Sequence, residues 1–118
     1  MAQDFERAVA FDSAGDVDIG TTARTIITSN SDDAIIGIRL TNVTTATIKA
    51  DVYITSTASG SSADSYIVKG APIAAGGSLE LIDGGAKIVL LSGDALKAKS
   101  DTDASLNVWV SYIDSIST

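Results

Sequence analysis

The sequence predicts an all-β fold: a single antiparallel β-sandwich domain over residues 1–118, jelly-roll-like, with about eight or nine short strands. Its β-branched residues favour strands, since Ile, Val and Thr together number 34 while Leu numbers only 7. Its acidic residues favour turns, because 13 are Asp and only 2 are Glu. Apolar residues also recur with a period of two between turn signals, which is typical of a sandwich or barrel.

The first half of the chain contains four predicted strands. Ile36, Ile38 and Leu40 alternate with small or polar residues, so we expect these three side chains to face the core. The polar segment 41–45 after them predicts a hairpin to the next strand. The four predicted strands cover residues 5–11, 23–28, 36–41 and 48–55.

The second half predicts five more strands. Gly70 and Pro72 are expected to end the first of them, and Asp83-Gly84-Gly85 predicts a hairpin because Asp-Gly supports positive φ angles. In the last strand Tyr112 shares the core-facing parity, which places Trp109 on the outer face. The five predicted strands cover residues 66–69, 79–81, 87–91, 95–99 and 106–113.

Charge and composition exclude several classes of function. The chain carries 8 basic against 15 acidic residues, a net charge of -7, which argues against nucleic acid or an anionic membrane as a partner. It contains neither His nor Cys, so disulfides, ordinary structural zinc, thiol nucleophiles and a His base are ruled out. We therefore predict no enzyme and no cofactor. The longest apolar run is strand-length and no signal peptide is visible, so a soluble, unprocessed protein is expected.

Clusters of Asp and Lys invite a binding interpretation. Grouped Asp residues can supply oxygen ligands to Ca²⁺, but their spacing matches no helix–loop–helix calcium site. Asp is also an ordinary turn residue, and this interpretation is favoured, so no metal site is predicted. The lysines are interpreted as edge-strand charges that discourage unwanted pairing. The clusters are Asp12, Asp16 and Asp18; Asp32 and Asp33; Asp101 and Asp103; and Lys87, Lys97 and Lys99.

Four apolar or aromatic residues are candidate interface residues. Phe5, Val9 and Phe11 share one side of an N-terminal segment, residues 1–11, which is interpreted as an arm or an edge strand. The outward Trp109 fits a subunit contact, a carbohydrate contact or a second packed layer, and the subunit contact is favoured.

Much of the chain resembles a known family. It is similar to the small β-sandwich virion proteins of tailed bacteriophages, particularly those of marine cyanobacteria. The similarity is carried by Phe5-Glu6-Arg7-Ala8, by the Ile-Gly-Ile-Arg-Leu-Thr-Asn run at 36–42, by residues 66–81 and 87–97, and by the Val-Trp-Val-Ser-Tyr-Ile strand at 108–113.

The resemblance implies a non-enzymatic structural subunit present in many copies, which decorates or cements the capsid or forms part of the neck or tail. Its implied partners are further copies of itself and other virion proteins, such as the major capsid or tail subunits, and its implied location is the virion, after synthesis in the host cytoplasm. An alternative stays open: a carbohydrate- or receptor-binding β-sandwich module of a tail fibre or an extracellular surface.

Overall fold

The computed structural model describes residues 4–10, 19–56, 63–82 and 88–114, and this part of the chain is built from β-strands. In these residues no helix is long and apolar enough to cross a membrane. The strands are β1 (Asp4–Ala10), β2 (Arg24–Thr28), β3 (Asp33–Asn42), β4 (Ile48–Ser56), β5 (Ala63–Ile73), β6 (Ser78–Glu80), β7 (Ile88–Leu90), β8 (Ala95–Ser100) and β9 (Leu106–Asp114).

The strands form two antiparallel sheets with jelly-roll topology. The first sheet has the order β1-β9-β3-β6, with β7 also paired to β3, and the second has the order β2-β8-β4-β5. Strands from the two halves of the chain pair in a nested way: β1 with β9, β2 with β8, β3 with β6 and β7, and β4 with β5. Such nesting of a long hairpin, wound into two facing sheets, defines a jelly roll. The predicted fold class is confirmed.

One edge of the first sheet consists of two short strands, β6 and β7, which pair with different parts of β3. β6 pairs with residues 39–41 of β3, and β7 pairs with residues 33–35. Both are antiparallel to β3, so they run in the same direction along it. The predicted hairpin at residues 83–85 is therefore wrong: the turn residues lie outside the described part of the chain, but the strands on either side continue one edge.

The core lies between the two sheets and is filled by alternate residues of the inner strands. On β9, Leu106, Val108 and Val110 are at most 1% exposed, as the period of two predicts. Ile19, which lies between the first two predicted strands, is fully buried and exchanges backbone hydrogen bonds with Leu106. The connection between these strands therefore contributes a residue to the core.

A β-bulge in β3 corrects the predicted core face of this strand. The pairing with β9 shifts register between Ile35 and Gly37. Ile35 and Ile38 are consequently the fully buried residues, whereas Ile36 is only partly buried. An inserted residue reverses the alternation on one side of it, which a regular period of two does not anticipate.

The predicted hairpin at residues 41–45 is also wrong, because β3 and β4 belong to different sheets. The segment is a crossover at the corner of the sandwich. Asn42 holds it: its buried side chain donates from Nδ2 to the carbonyls of Ala46 and Ile73 and accepts at Oδ1 from the Thr44 N–H. The amide thus ties the crossover to the end of β5.

The β5 strand is longer than predicted. Gly70 has a positive φ of 67° and lies in an irregular stretch of the β4–β5 pairing, so it bends the strand instead of ending it. Pro72 is tolerated because β5 is an edge strand, where a missing N–H costs no ladder hydrogen bond.

Candidate functional site

The outer face of the first sheet carries the candidate site. Antiparallel register partners share a face, so Trp109 on β9 stands in one row with Arg39 on β3 and Glu80 on β6. Ser111 and Gly37 form the next row. On the other side of Trp109, Asn107 pairs with Thr41. Strands from distant parts of the sequence therefore bring these side chains together.

These rows enclose a half-open depression of about 670 Å³, here called the Trp109 cleft. This volume lies within the range of ordinary small-molecule sites. Its lining combines the Trp109 ring, the apolar Gly37 and Val108, and a set of polar or charged residues: Arg39, Thr41, Glu80, Asn107 and Ser111.

Trp109 forms the apolar wall of the cleft. Its side chain is 47% exposed, so much of the indole is open to solvent. The Arg7 guanidinium of β1 lies 5.2 Å from the ring centroid, a cation–π distance. This contact restrains the orientation of the indole from the side of the neighbouring strand.

Arg39 and Glu80 form the charged wall. Arg39 Nε donates to Glu80 Oε1 at 2.6 Å, and both side chains are about half exposed or more. A guanidinium has five N–H donors, so this bond leaves others for a ligand. The pair thus offers donors and a carboxylate acceptor side by side.

Asn107 leaves a hydrogen-bond acceptor unused at the cleft. Its Oδ1 atom is buried and has no hydrogen-bond partner within the described residues. Buried polar atoms are normally satisfied, so an unpaired one calls for an explanation. Although Asn107 lines the cleft, this oxygen has almost no accessible surface, so a ligand in the open depression does not reach it unless the side chain rearranges.

Gly37 keeps the cleft open. An added Cβ at this position would meet only the Ser111 Cβ, at 4.0 Å, which is ordinary van der Waals contact. The backbone would therefore accept a larger residue, and its side chain would occupy the space beside the indole.

The second sheet carries a different depression, of about 410 Å³, on its outer face. Lys49, Lys69 and Lys99 line it together with Asp51 and Asp101. Here the carboxylates are engaged by the protein itself. Asp51 accepts from the Gly70 N–H at 2.7 Å and lies 3.9 Å from Lys99 Nζ, and Asp101 accepts from the Lys49 N–H at 3.0 Å.

The interpretation of the lysines as edge charges is wrong for two of them. Lys97 and Lys99 lie on β8, which is paired on both sides, with β2 and with β4. Lys99 instead faces Asp51 across the β4–β8 pair. Lys87 lies outside the described residues.

The predicted interface residues fall in three situations. Trp109 is exposed on the outer face, at the cleft. Phe5 and Val9 lie on β1, which forms an edge of the chain's own first sheet, at register positions opposite Ile113 and Trp109. Phe11 lies outside the described residues. Their part in an interface stays a prediction.

Several of the described acidic residues have local structural contacts. Asp33 is buried and accepts hydrogen bonds from the Ser29 and Ser31 hydroxyls, and Asp94 Oδ2 accepts from the Leu91 N–H within its turn. In the described part of the chain, no group of three or more His, Cys, Asp or Glu side chains is arranged to hold a metal ion. Asp12, Asp16 and Asp18 lie outside that part, so their Ca²⁺ hypothesis is untested.

Sequence reasoning identified Trp109 but missed its neighbours Gly37, Arg39, Glu80 and Asn107. Strand parity alone places Arg39, Asn107 and Trp109 on outer faces, yet only the β3–β9 pairing shows that they are adjacent.

The chain matches no known protein-family model, and it has no significant match among curated proteins or solved structures.

Proposed function

We propose that this protein is a non-enzymatic structural subunit of a bacteriophage virion, present in many copies, that decorates or cements the capsid or belongs to the neck or tail. The observation that supports it most directly is the jelly-roll topology, which is common among viral capsid proteins. The resemblance to phage virion proteins is carried by strands that the topology places in both sheets.

A subunit of this kind needs a surface for its neighbours, and the first sheet offers an apolar one. At the end away from the cleft, Ile113 on β9, Ala34 on β3 and Val89 on β7 are register partners in one row across the outer face. Val89 is 53% exposed and Leu91 beside it 48%. Phe5 on β1 occupies the next register position in this row.

The row and the neighbouring β1 edge together suit contact with a further copy or another virion protein. An edge strand presents unpaired backbone groups to which a second chain can add a strand. A specific interface needs roughly 800 Å² per partner, and repetition around a shell or ring strengthens weak individual contacts.

The test combines light scattering of the purified chain with cryo-EM of particles from the virus that encodes it. We expect jelly-roll density at symmetry-related positions on the particle. We expect Val89→Asp to reduce incorporation and any self-association, because it places a charge in the apolar row. Val43→Asp is the matched control, since Val43 is similarly exposed, at 44%, but lies outside that row. Virions that lack the chain would refute the proposal, and equal behaviour of the two variants would refute the assigned surface.

A further inference from the structure

We propose that the outer face of the first sheet packs on the same face of a second copy of this chain, with Trp109 of each copy filling the Trp109 cleft of the other. The contact rests on the proposed function, because it continues the apolar row on this face. Its partner is a further copy instead of another virion protein, and Trp109 takes the predicted role of a subunit contact.

The face carries a projecting group and a depression side by side. The indole of Trp109 is 47% exposed although Arg7 lies over its ring, so the rest of the ring is open to solvent. Next to it, Gly37 and Ser111 leave the cleft of about 670 Å³ open. A tryptophan buries about 150–250 Å² when covered, which makes it effective at the centre of an interface. A surface with both features is able to complement a rotated copy of itself.

A two-fold axis along the strands, between β9 and β3, matches large side chains with small ones. It places β9 of each copy over β3 of the other, because these strands are neighbours. Ile113 of one copy then lies over Ala34 of the other, and Ser111 lies over Gly37. The space above this small pair is filled by Trp109 from the adjacent row. Sheets that pack face to face in sandwiches are commonly aligned in this way.

The charges of this face permit the contact in an acidic protein. The chain has a net charge of -7, but Glu80 is the one acidic residue at the described outward positions of the first sheet. The same axis brings β1 of one copy over β6 of the other. Arg7 therefore lies one register row from Glu80 of the other copy, so opposite charges meet on both sides of the contact.

The size of the face suits a specific pair. Four strands at a spacing of about 4.8 Å, with about 3.4 Å for each of the 9 residues of β9, give a flat footprint on the order of 600 Å². The accessible area is larger, because side chains rise from this plane. Full contact therefore approaches the roughly 800 Å² per partner of a specific interface.

The sole tryptophan of the chain reports on the contact, because Trp109 lies at its centre. Light scattering and Trp109 fluorescence are measured on the purified full chain from about 1 μM to about 1 mM. We expect the mass to double with concentration. Over the same range the indole emission should shift to the blue, because the ring leaves water.

Two variants disturb the two halves of the contact. Gly37→Gln fills the cleft from a backbone that accepts a side chain, and Trp109→Ala removes the group that enters it. Each should weaken self-association at least about tenfold. Thr25→Gln introduces the same side chain at an exposed position of the second sheet and should associate as the wild type does. Thermal unfolding of each variant separates loss of the contact from loss of the fold.

A mixture of the two weakened variants is the sharpest test. In a mixed pair, Trp109 of the Gly37→Gln copy enters the open cleft of the Trp109→Ala copy. The filled cleft then faces only the small side chain introduced by Trp109→Ala. The mixed pair should therefore associate at least about fivefold more tightly than either variant with itself. Because Trp109→Ala has no tryptophan, the fluorescence of the mixture reports the Gly37→Gln copy alone.

Three results in solution would overturn the proposal: a chain that stays monomeric at about 1 mM, equal self-association of Gly37→Gln and Thr25→Gln, or a mixture that binds no more tightly than its components. A different protein seated on this face in cryo-EM of the particle would overturn it as well. A chain that is monomeric in solution but present in virions would refute this pairing alone. A two-fold pair that is absent from virions would refute the virion proposal alone.

Discussion

The outer faces of the two sheets each carry an aromatic residue in the middle of a strand, but the two residues are held very differently. On the second sheet, Tyr53 is only 8% exposed; its ring lies 5.0 Å from that of Tyr66, centroid to centroid. Its cross-strand neighbour on β8 is Lys97. On the first sheet, Trp109 is 47% exposed beside an open depression.

The difference lies in the neighbours and not in the aromatic residues themselves. Tyr53 is flanked in its row by long side chains, which cover it. Trp109 is followed by a row with only Gly37 and Ser111 between β3 and β9, which leaves space beside the indole. An outward aromatic residue becomes a candidate site where the next row of the sheet carries small residues.

The largest expected effect tests the corner that keeps β3 and β4 in separate sheets. Asn42→Leu removes the buried amide, which leaves the Ile73 carbonyl without its side-chain donor and the Thr44 N–H without its acceptor. The Ala46 carbonyl still accepts from the Thr44 hydroxyl. At about 1–3 kcal/mol for each unsatisfied buried group, we expect a loss of about 3 kcal/mol in the free energy of unfolding, measured in urea. Asn30→Leu, at an exposed position, should change stability by less than about 0.5 kcal/mol. Equal losses would show that the corner does not depend on the amide.

The next effect compares the two aromatic residues directly. Tyr53→Ala removes a covered ring and should lower the free energy of unfolding by about 2–3 kcal/mol. Trp109→Ala removes a half-exposed ring and its Arg7 contact, so a loss of at most about 1 kcal/mol is expected. Urea unfolding of both variants measures the difference. A Trp109→Ala loss as large as that of Tyr53→Ala would mean that the indole is a packing residue of the sheet.

Alkaline pH should act on both sheets. Burial, followed by the charge of Asp64, raises the pKa of Tyr53 above 10.0, and burial with the charge of Glu6 raises the pKa of Tyr112. The native state then holds these protons more tightly than the unfolded chain. The contribution of these two tyrosines to the free energy of unfolding is therefore fully present below about pH 10, and it is lost as the pH rises through the native pKa values. The free energy of unfolding is measured from about pH 9 to about pH 11.5, a range on both sides of the ordinary tyrosine pKa. Its slope with pH should be smaller in Tyr53→Phe. An unchanged slope in Tyr53→Phe would exclude this residue as its source.

The smallest effect concerns the charged wall of the cleft. Glu80→Gln breaks the exposed Arg39–Glu80 ion pair and should cost less than about 0.5 kcal/mol, a difference that shrinks further in high salt. Thermal unfolding at low and high ionic strength measures it. A loss that persists in high salt would mean that Glu80 contributes through packing.

Strand parity predicts much of this fold. The alternation in β9 places Val108 and Val110 inside and Trp109 outside, and the structure confirms this division. Composition and alternation are enough for the class of fold, because every strand of a sandwich must bury one face.

The errors occur where a single residue or a connection changes the geometry. The bulge at Ile35–Gly37 reverses the face of β3, and the segment at Asn42 crosses between sheets, although its polar residues resemble those of a hairpin turn. The Trp109 cleft could not be predicted from the sequence, because it forms only where β3 and β9 pair. These two strands are separated by more than half of the chain, and strand parity does not reveal that they are neighbours.

The two short strands β6 and β7 at one edge affect how another chain could extend the first sheet. A continuous edge on each side of the first sheet would let copies add head to tail without limit, as in a fibril. Here one side consists of β6 and β7, of 3 residues each, whereas β1 on the other side has 7 residues, so β1 is the longest described edge strand of this sheet. Two copies joined through β1 alone would form a two-fold pair that consumes both edges. Extension of the first sheet through β1 would therefore end at two copies.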